Sequence, residues 1–198
     1  KVLIIGGSRG IGSYLAKVIA LMGGKVDITY SLGLDDANKV CDDINKNCKF
    51  TSEPYKFNIK KDKLDILSLK NYKYLFYLAT PRIFGKQTNT FEERRYEEFK
   101  KFYCDLFKEI AFEFIQYGGK KIFYPSSSAV CENVKGLEEY KKAKLEGERV
   151  CLEISKNFSI DIIVERLDRI NTDQTLTLLP VPALNPIEVA IKIAKRVC

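Results

Sequence analysis

Histidine is absent from the 198-residue sequence, and its absence excludes every catalytic triad that needs an imidazole. Six cysteines are present, but no two of them form a Cys-x-x-Cys pair, so the spacings typical of zinc sites are missing as well. We therefore expect no metal site and reduced thiols that are mostly buried. Proton transfer in this chain has to use Tyr, Lys, Asp, Glu or Cys side chains.

Long apolar runs are also missing. No run approaches the ~20 residues that a membrane-spanning helix needs, and the first residues lack the features of a signal peptide. These absences predict a cytoplasmic protein without a membrane partner. The sequence begins at Lys1 without an initiator Met, which leaves open whether further residues or a neighbouring domain precede Lys1.

The charge pattern argues against a nucleic-acid partner. The net charge is +7, but lysines alternate with glutamates along the chain, as in segments 92–101 and 138–148. This mixture is typical of a solvated surface, whereas a nucleic-acid site concentrates its basic residues on one face. The length and the 45% hydrophobic content predict a single globular domain over 1–198, without a separate substrate lobe.

A glycine-rich segment follows the first apolar run. Residues 2–5 are apolar and mostly β-branched, which predicts a buried strand. Glycines then occur at 6, 10 and 12, and apolar residues recur at helical spacing from Leu15 to Met22. A turn with little side-chain bulk before a helix N-terminus can bind a phosphate group through backbone N–H groups. The segment therefore predicts a phosphate-binding loop.

Strand and helix patterns alternate through the rest of the chain. Further strands are predicted at 25–31, within 49–59 ending at 57–59, and at 72–80, 121–130 and 159–165. Helices are predicted after Gly12, around 34–44, at 91–117 and 138–157, and after Asn185, which precedes Pro186 as an N-cap. Six strands separated by helices predict an α/β fold: a Rossmann-like, doubly wound parallel sheet in three layers, with at least six strands.

The predicted helix 91–117 has an unusually wide apolar face. Such a face can cover the sheet and also contact a helix of a second subunit. A role confined to the core accounts for it equally well. Both interpretations stay open for these residues: Phe99, Phe102, Tyr103, Leu106, Phe107, Ile110 and Phe114.

A Tyr-x-x-x-Lys pattern occurs three times, at Tyr96, Tyr117 and Tyr140. Only Tyr140 and Lys144 lie on a helix that follows a strand ending in serines, and Ser127 precedes Tyr140 by thirteen residues. An ammonium one helical turn away favours the phenolate form and lowers the pKa of a tyrosine towards neutral pH. The pattern therefore predicts an acid–base pair of Tyr140 and Lys144.

The segment Gly-Gly-Ser-Arg-Gly-Ile-Gly, together with Ser127, Tyr140 and Lys144, resembles the short-chain dehydrogenase/reductase family. The resemblance implies hydride transfer between a nicotinamide cofactor and a small carbonyl or alcohol substrate, and a homodimer or larger homo-oligomer. The segments 78–80 and 166–167 look more like the extended branch of the family. That alignment selects Ser128 as the catalytic serine and implies a nucleotide-sugar-like substrate.

The resemblance also implies a set of cofactor-binding residues. NADP is favoured, because Tyr30 and Ser31 stand where NAD-binding members carry an acidic residue and Arg9 offers charge to a 2′-phosphate. NAD stays the alternative. Asn58 matches a position that contacts adenine, and Thr172 one near the nicotinamide, although either residue also suits a simple turn. The full set is Gly6, Ser8, Arg9, Gly10, Ile11, Gly12, Tyr30, Ser31, Asn58, Ala79, Lys144 and Thr172.

Several positions depart from the family pattern. The usual Asn of the long helix is absent, and there is no room for the substrate lobe of extended members. These departures motivate a second hypothesis, a nucleotide-binding domain with weak or no catalysis that serves a regulatory or structural role.

Overall fold

The computed structural model describes residues 1–60, 62, 69–81, 83, 90–132, 136–173 and 182–198. It contains one sheet in the order β3-β2-β1-β4-β5-β6, and every neighbouring pair of strands is parallel. The predicted six-stranded parallel sheet is confirmed. Its strands are β1 (Val2–Ile5), β2 (Val26–Tyr30), β3 (Pro54–Lys56), β4 (Tyr74–Tyr77), β5 (Lys121–Ser127) and β6 (Asp161–Leu167).

Helices cover both faces of this sheet. At the start of the last helix, the Asn185 side chain accepts a hydrogen bond from the Ile187 N–H at 2.9 Å, so the predicted N-cap is confirmed. Among the described residues, no helix combines the length and apolar character that crossing a bilayer requires. The helices are α1 (Gly10–Leu21), α2 (Leu34–Asn47), α3 (Glu93–Lys100), α4 (Leu106–Gln116), α5 (Glu138–Phe158) and α6 (Pro186–Val197).

Side chains on the strands point alternately to the two faces of the sheet, and each face has its own hydrophobic core. In β1, Leu3 and Ile5 pack against the side that carries α3, α4 and α5, while Val2 and Ile4 pack against α1, α2 and α6. Because successive side chains of a strand point to opposite faces, one buried strand supplies both cores. The result is the predicted arrangement of three layers.

Strand ends differ from the sequence prediction where pairing or a turn sets the limit. β5 ends at Ser127 rather than at residue 130, because a 3₁₀ turn follows at Ser128–Val130. β6 extends to Leu167 because its pairing with β5 continues that far. β3 ends at Lys56, before the predicted 57–59, although the Phe57 N–H still bonds the Tyr30 carbonyl.

The predicted helix 91–117 is interrupted by a π-helical segment, Lys101–Asp105. The carbonyl of Phe102 accepts a hydrogen bond from the Tyr77 hydroxyl at 2.6 Å, and that of Tyr103 accepts one from Tyr124 at 3.0 Å. All seven residues of the wide apolar face are buried in this chain. The core therefore accounts for that face without a partner helix.

Candidate active site

A cleft of about 1000 Å³ opens at the carboxyl ends of β1 and β4, where the strand order reverses. This switch point is the usual ligand site of doubly wound sheets. Its lining includes most of the predicted cofactor-binding residues: Gly6, Ser8, Arg9, Ile11, Gly12, Tyr30, Ser31, Asn58 and Ala79. Gly10, Lys144 and Thr172 lie outside this lining.

The glycine loop is shaped for close contact between backbone segments. A Cβ atom at Gly12 would overlap the Gly6 carbonyl oxygen, so the turn closes only without a side chain there. Gly10 has φ +56°, in the left-handed region that favours glycine. The Gly6 N–H bonds the Thr29 hydroxyl at 3.1 Å, which ties the loop to β2. The N-terminus of α1 is therefore presented to the cleft.

An anionic group already binds this N-terminus. The Gly10 N–H donates a hydrogen bond to Asp173 Oδ1 at 3.0 Å, although the two residues are 163 positions apart. A carboxylate oxygen there stands in for a phosphate oxygen, because both accept from the same backbone donor. The predicted phosphate-binding loop thus fits an anion, and Asp173 is a residue that the sequence interpretation did not single out.

The predicted 2′-phosphate site also contains a carboxylate. The Arg9 guanidinium lies 3.6 Å from Asp36, and both side chains are about half exposed. Arg9 is therefore not the unopposed positive charge that the sequence interpretation assumed. Asn58 lines the cleft while its side-chain oxygen accepts from the Lys60 N–H at 3.1 Å, so it serves as a turn residue as well.

Ser127 and Tyr140 are brought together at the end of β5. The Tyr140 side chain, in the first turn of α5, lies close enough to the Ser127 hydroxyl for that group to lower the Tyr140 pKa, against the larger rise from burial. The Ser127 oxygen also accepts from the Ala129 N–H at 3.3 Å, within the turn that ends the strand. Of the two predicted serines, the geometry therefore favours Ser127 over Ser128 as the partner of Tyr140.

Lys144 is buried one turn further along α5. Its ammonium donates to the Pro125 carbonyl at 2.7 Å and lies 3.8 Å from the centre of the Tyr103 ring. Burial lowers the pKa of Lys144 to about 7, because the charged form loses its hydration. The carbonyl and the aromatic ring replace only part of the lost hydration.

The predicted lowering of the Tyr140 pKa by Lys144 is wrong in direction. Burial raises the pKa of Tyr140, and the nearby Ser127 hydroxyl offsets only part of that rise. The Lys144 ammonium lies 5.9 Å from the centre of the Tyr140 ring and is directed at the Pro125 carbonyl instead. The Tyr140 phenol is consequently held in its protonated form.

Tyr103, in the π-helical segment, connects the cleft with this pair. Its hydroxyl lies 2.5 Å from the hydroxyl of Thr80, which lines the cleft. Its ring packs edge-on against Tyr140, with 5.7 Å between ring centres, and lies under the Lys144 ammonium. The sequence does not indicate that Tyr103 joins the cleft to Tyr140 and Lys144, because Tyr103 is one of many apolar residues on a wide helix face.

The remaining candidates for metal or thiol chemistry are dispersed. In the described parts of the chain, no three Cys, Asp or Glu side chains group as metal ligands. All six cysteines are free thiols, of which only Cys41, Cys104 and Cys151 are buried. The expectation that most are buried therefore holds for half of them.

The fold has well-matched counterparts among solved structures. An alcohol dehydrogenase from Thermococcus sibiricus, complexed with 5-hydroxy-NADP, is 15% identical with a TM-score of 0.80; the match covers 99% of this chain and 89% of that one. A short-chain dehydrogenase from Burkholderia cenocepacia, in complex with NADP, is 15% identical with a TM-score of 0.83, covering 98% and 88%. BdcA, in complex with NADPH, is 21% identical with a TM-score of 0.78, covering 98% and 85%.

No protein-family model matches the sequence, and the comparison with curated proteins also found no match. The structural likeness extends over nearly the whole chain, at low identity. The chain therefore has the fold of the short-chain dehydrogenases/reductases, the fold that the resemblance of its motifs implied.

Proposed function

We propose that this protein is an NADP-dependent oxidoreductase that reduces a small carbonyl substrate. The observation that carries the proposal is the grouping of Tyr140 beside Ser127, with Lys144 buried one turn further along α5. Tyr103 and Thr80 link this pair to the cleft at the glycine loop. Structural neighbours crystallised with NADP or NADPH support the choice of cofactor.

The glycine loop would hold the pyrophosphate of the cofactor, and Arg9 with Ser31 would hold the 2′-phosphate. Arg9 would exchange its exposed ion pair with Asp36 for the phosphate, which carries more charge. The same carboxylate is suited to accept from a ribose 2′-hydroxyl, so binding of NAD is a second outcome to measure.

Residues of this chain would handle the proton. The bound cofactor supplies a hydride to the carbonyl carbon. Tyr140, protonated because its pKa is raised, gives its phenolic proton to the carbonyl oxygen. The Ser127 hydroxyl holds that oxygen as negative charge develops on it. A raised pKa suits a proton donor, which favours reduction over oxidation as the working direction.

The test begins with fluorescence titration by NADPH and NADH, followed by a screen of ketones, aldehydes and sugar nucleotides. The Tyr140→Phe variant should keep NADPH affinity and lose at least about 100-fold in turnover, because the proton donor is gone. Tyr117→Phe, which changes an exposed tyrosine with the same sequence spacing, should retain turnover. Equal turnover by wild type and Tyr140→Phe would contradict the catalytic assignment.

The alternative, a nucleotide-binding domain with weak or no catalysis, is supported by two contacts. Asp173 occupies a donor of the glycine loop, and the Lys144 ammonium bonds the Pro125 carbonyl. Tight NADPH binding without turnover of any carbonyl in the screen would favour this alternative.

Three narrower assignments belong to the same proposal. A nucleotide-sugar substrate is supported by the likeness of segments 78–80 and 166–167 to extended family members. A cytoplasmic location is supported by six free thiols, which persist in reducing compartments. Assembly as a homodimer is supported by exposed leucines on α5, namely Leu145 and Leu152.

A further inference from the structure

We propose that Asp173 is an internal competitor for the pyrophosphate of the cofactor, so that its carboxylate sets the affinity of the cleft for phosphate-bearing ligands. The inference rests on the proposed function. Its starting point is the 3.0 Å hydrogen bond from the Gly10 N–H to Asp173 Oδ1. That donor belongs to the loop whose backbone would hold the pyrophosphate.

The backbone holds Asp173 close to the glycine loop. The Leu184 N–H bonds the Arg169 carbonyl at 2.7 Å, and the Asn171 N–H bonds the Leu184 carbonyl at 2.9 Å. These bonds fix the residues before Asp173 beside the start of α6. Because α6 and α1 pack in the same core, the residues bonded to the start of α6 keep a fixed position relative to α1, whose first N–H binds the carboxylate.

The electrostatics of α1 favour an anion at this position. The first turn of α1 contains no acidic residue, and the Arg9 side chain at the N-cap position makes no capping hydrogen bond. Asp173, which is remote in sequence but adjacent in space, thus supplies the negative charge that helix N-termini favour. A pyrophosphate needs the same N–H donor and carries the same sign of charge, so the two anions exclude each other.

Displacement of Asp173 is feasible because the residue is exposed. The carboxylate regains water when it leaves, whereas the phosphate gains the helix N-terminus and stays close to Arg9 and Arg169, which line the cleft. The affinity for NADPH would therefore be lowered by the free energy needed to break the Asp173 contact. Ligands without phosphate do not incur that loss.

The experiment compares wild type, Asp173→Asn and Asp173→Ala by calorimetric titration with NADPH, inorganic pyrophosphate and adenosine. Both variants should bind NADPH and pyrophosphate about tenfold more tightly, because the competing charge is gone. Adenosine affinity should not change. Asp173→Ala should also lower the melting temperature of the ligand-free protein, because α1 loses its distant cap. Asp168→Asn, the same charge change at an exposed position nearby, serves as control.

The outcomes separate this inference from the proposed function. Unchanged or weaker binding of NADPH and pyrophosphate by both Asp173 variants overturns the inference and leaves the proposed function standing. A tenfold gain for pyrophosphate, with no NADPH binding by any variant, supports the competitor role and overturns the proposed function. An equal gain in Asp168→Asn would show a general charge effect and overturn the role of Asp173. If neither NADPH nor pyrophosphate binds to wild type or to any variant, both the inference and the proposed function are overturned.

Discussion

At the scale of single residues, Lys144 links stability to pH. Its pKa is lowered from the ordinary value of 10.5 to about 7 by burial, so the folded protein binds fewer protons there than the unfolded chain between these two values. Stability should therefore rise with pH in this window. Between about pH 7 and pH 8.5 the gain from Lys144 should be about 1–2 kcal/mol.

Urea unfolding of wild type and Lys144→Met at these two pH values checks this prediction. Met has a similar volume and no charge, so the variant should lack the gain from Lys144. Lys144 also lowers the pKa values of Cys104 and Cys151, but burial raises both so far that the two thiols stay protonated over this pH range in either folded protein, so their effect cancels in the difference. Parallel stability profiles for the two proteins would mean that the ammonium is not held in a poorly hydrated site.

Local spacing in the sequence is enough to place residues that lie in one turn or on consecutive elements. The interval between Gly6 and Gly12 predicts a tight loop, and both glycines line the cleft. The order of a strand and a helix predicts that Ser127 lies near Tyr140, as it does in the structure, while the roles of these residues in binding and catalysis stay predictions. Asp173 could not be found in this way, because its partner lies 163 positions away and only the folded chain joins them. The direction of the Tyr140 pKa shift also depends on tertiary structure, since burial raises this pKa and the Lys144 ammonium is directed at the Pro125 carbonyl instead of the phenol.

At the scale of secondary-structure elements, the π-helical segment Lys101–Asp105 is maintained by two buried tyrosines. The hydroxyls of Tyr77 and Tyr124 bond the carbonyls of Phe102 and Tyr103 inside the core. Tyr124→Phe should therefore cost about 1–3 kcal/mol of unfolding free energy, because a buried carbonyl loses its donor. Chemical denaturation measures the loss, and Tyr117→Phe, at an exposed position, should show almost none.

Gly147 on α5 provides an independent check of the same contact. A Cβ atom there would collide with the Tyr124 hydroxyl and would lie 2.9 Å from the Tyr103 carbonyl. Gly147→Ala should therefore destabilise wild type more than it destabilises the Tyr124→Phe protein, in which the hydroxyl is absent. Equal and additive losses would contradict the contact. No sequence pattern indicated the segment, since its cause lies on β4 and β5.

At the scale of the whole molecule, the parallel sheet followed from the alternation of strands and helices, because parallel neighbours need helical crossovers. The ends of the strands did not follow, because pairing partners and turns set them, as at Ser127 and Leu167. Surface assignment also required the structure. The wide apolar face of the long helix is buried in the core. On α5, by contrast, Leu145 and Leu152 are exposed and lie on one face, seven residues apart.

The exposed face of α5 leads to a prediction about assembly. If two copies of the chain pair through this face, a charge at its centre should separate them, because burying an unpaired carboxylate is costly. Leu152→Glu should therefore sediment as a monomer at protein concentrations where wild type sediments as a dimer. Leu21→Glu, which changes an exposed leucine on α1, should leave the dimer intact. A monomeric wild type, or a dimer that persists in Leu152→Glu, would rule out this interface.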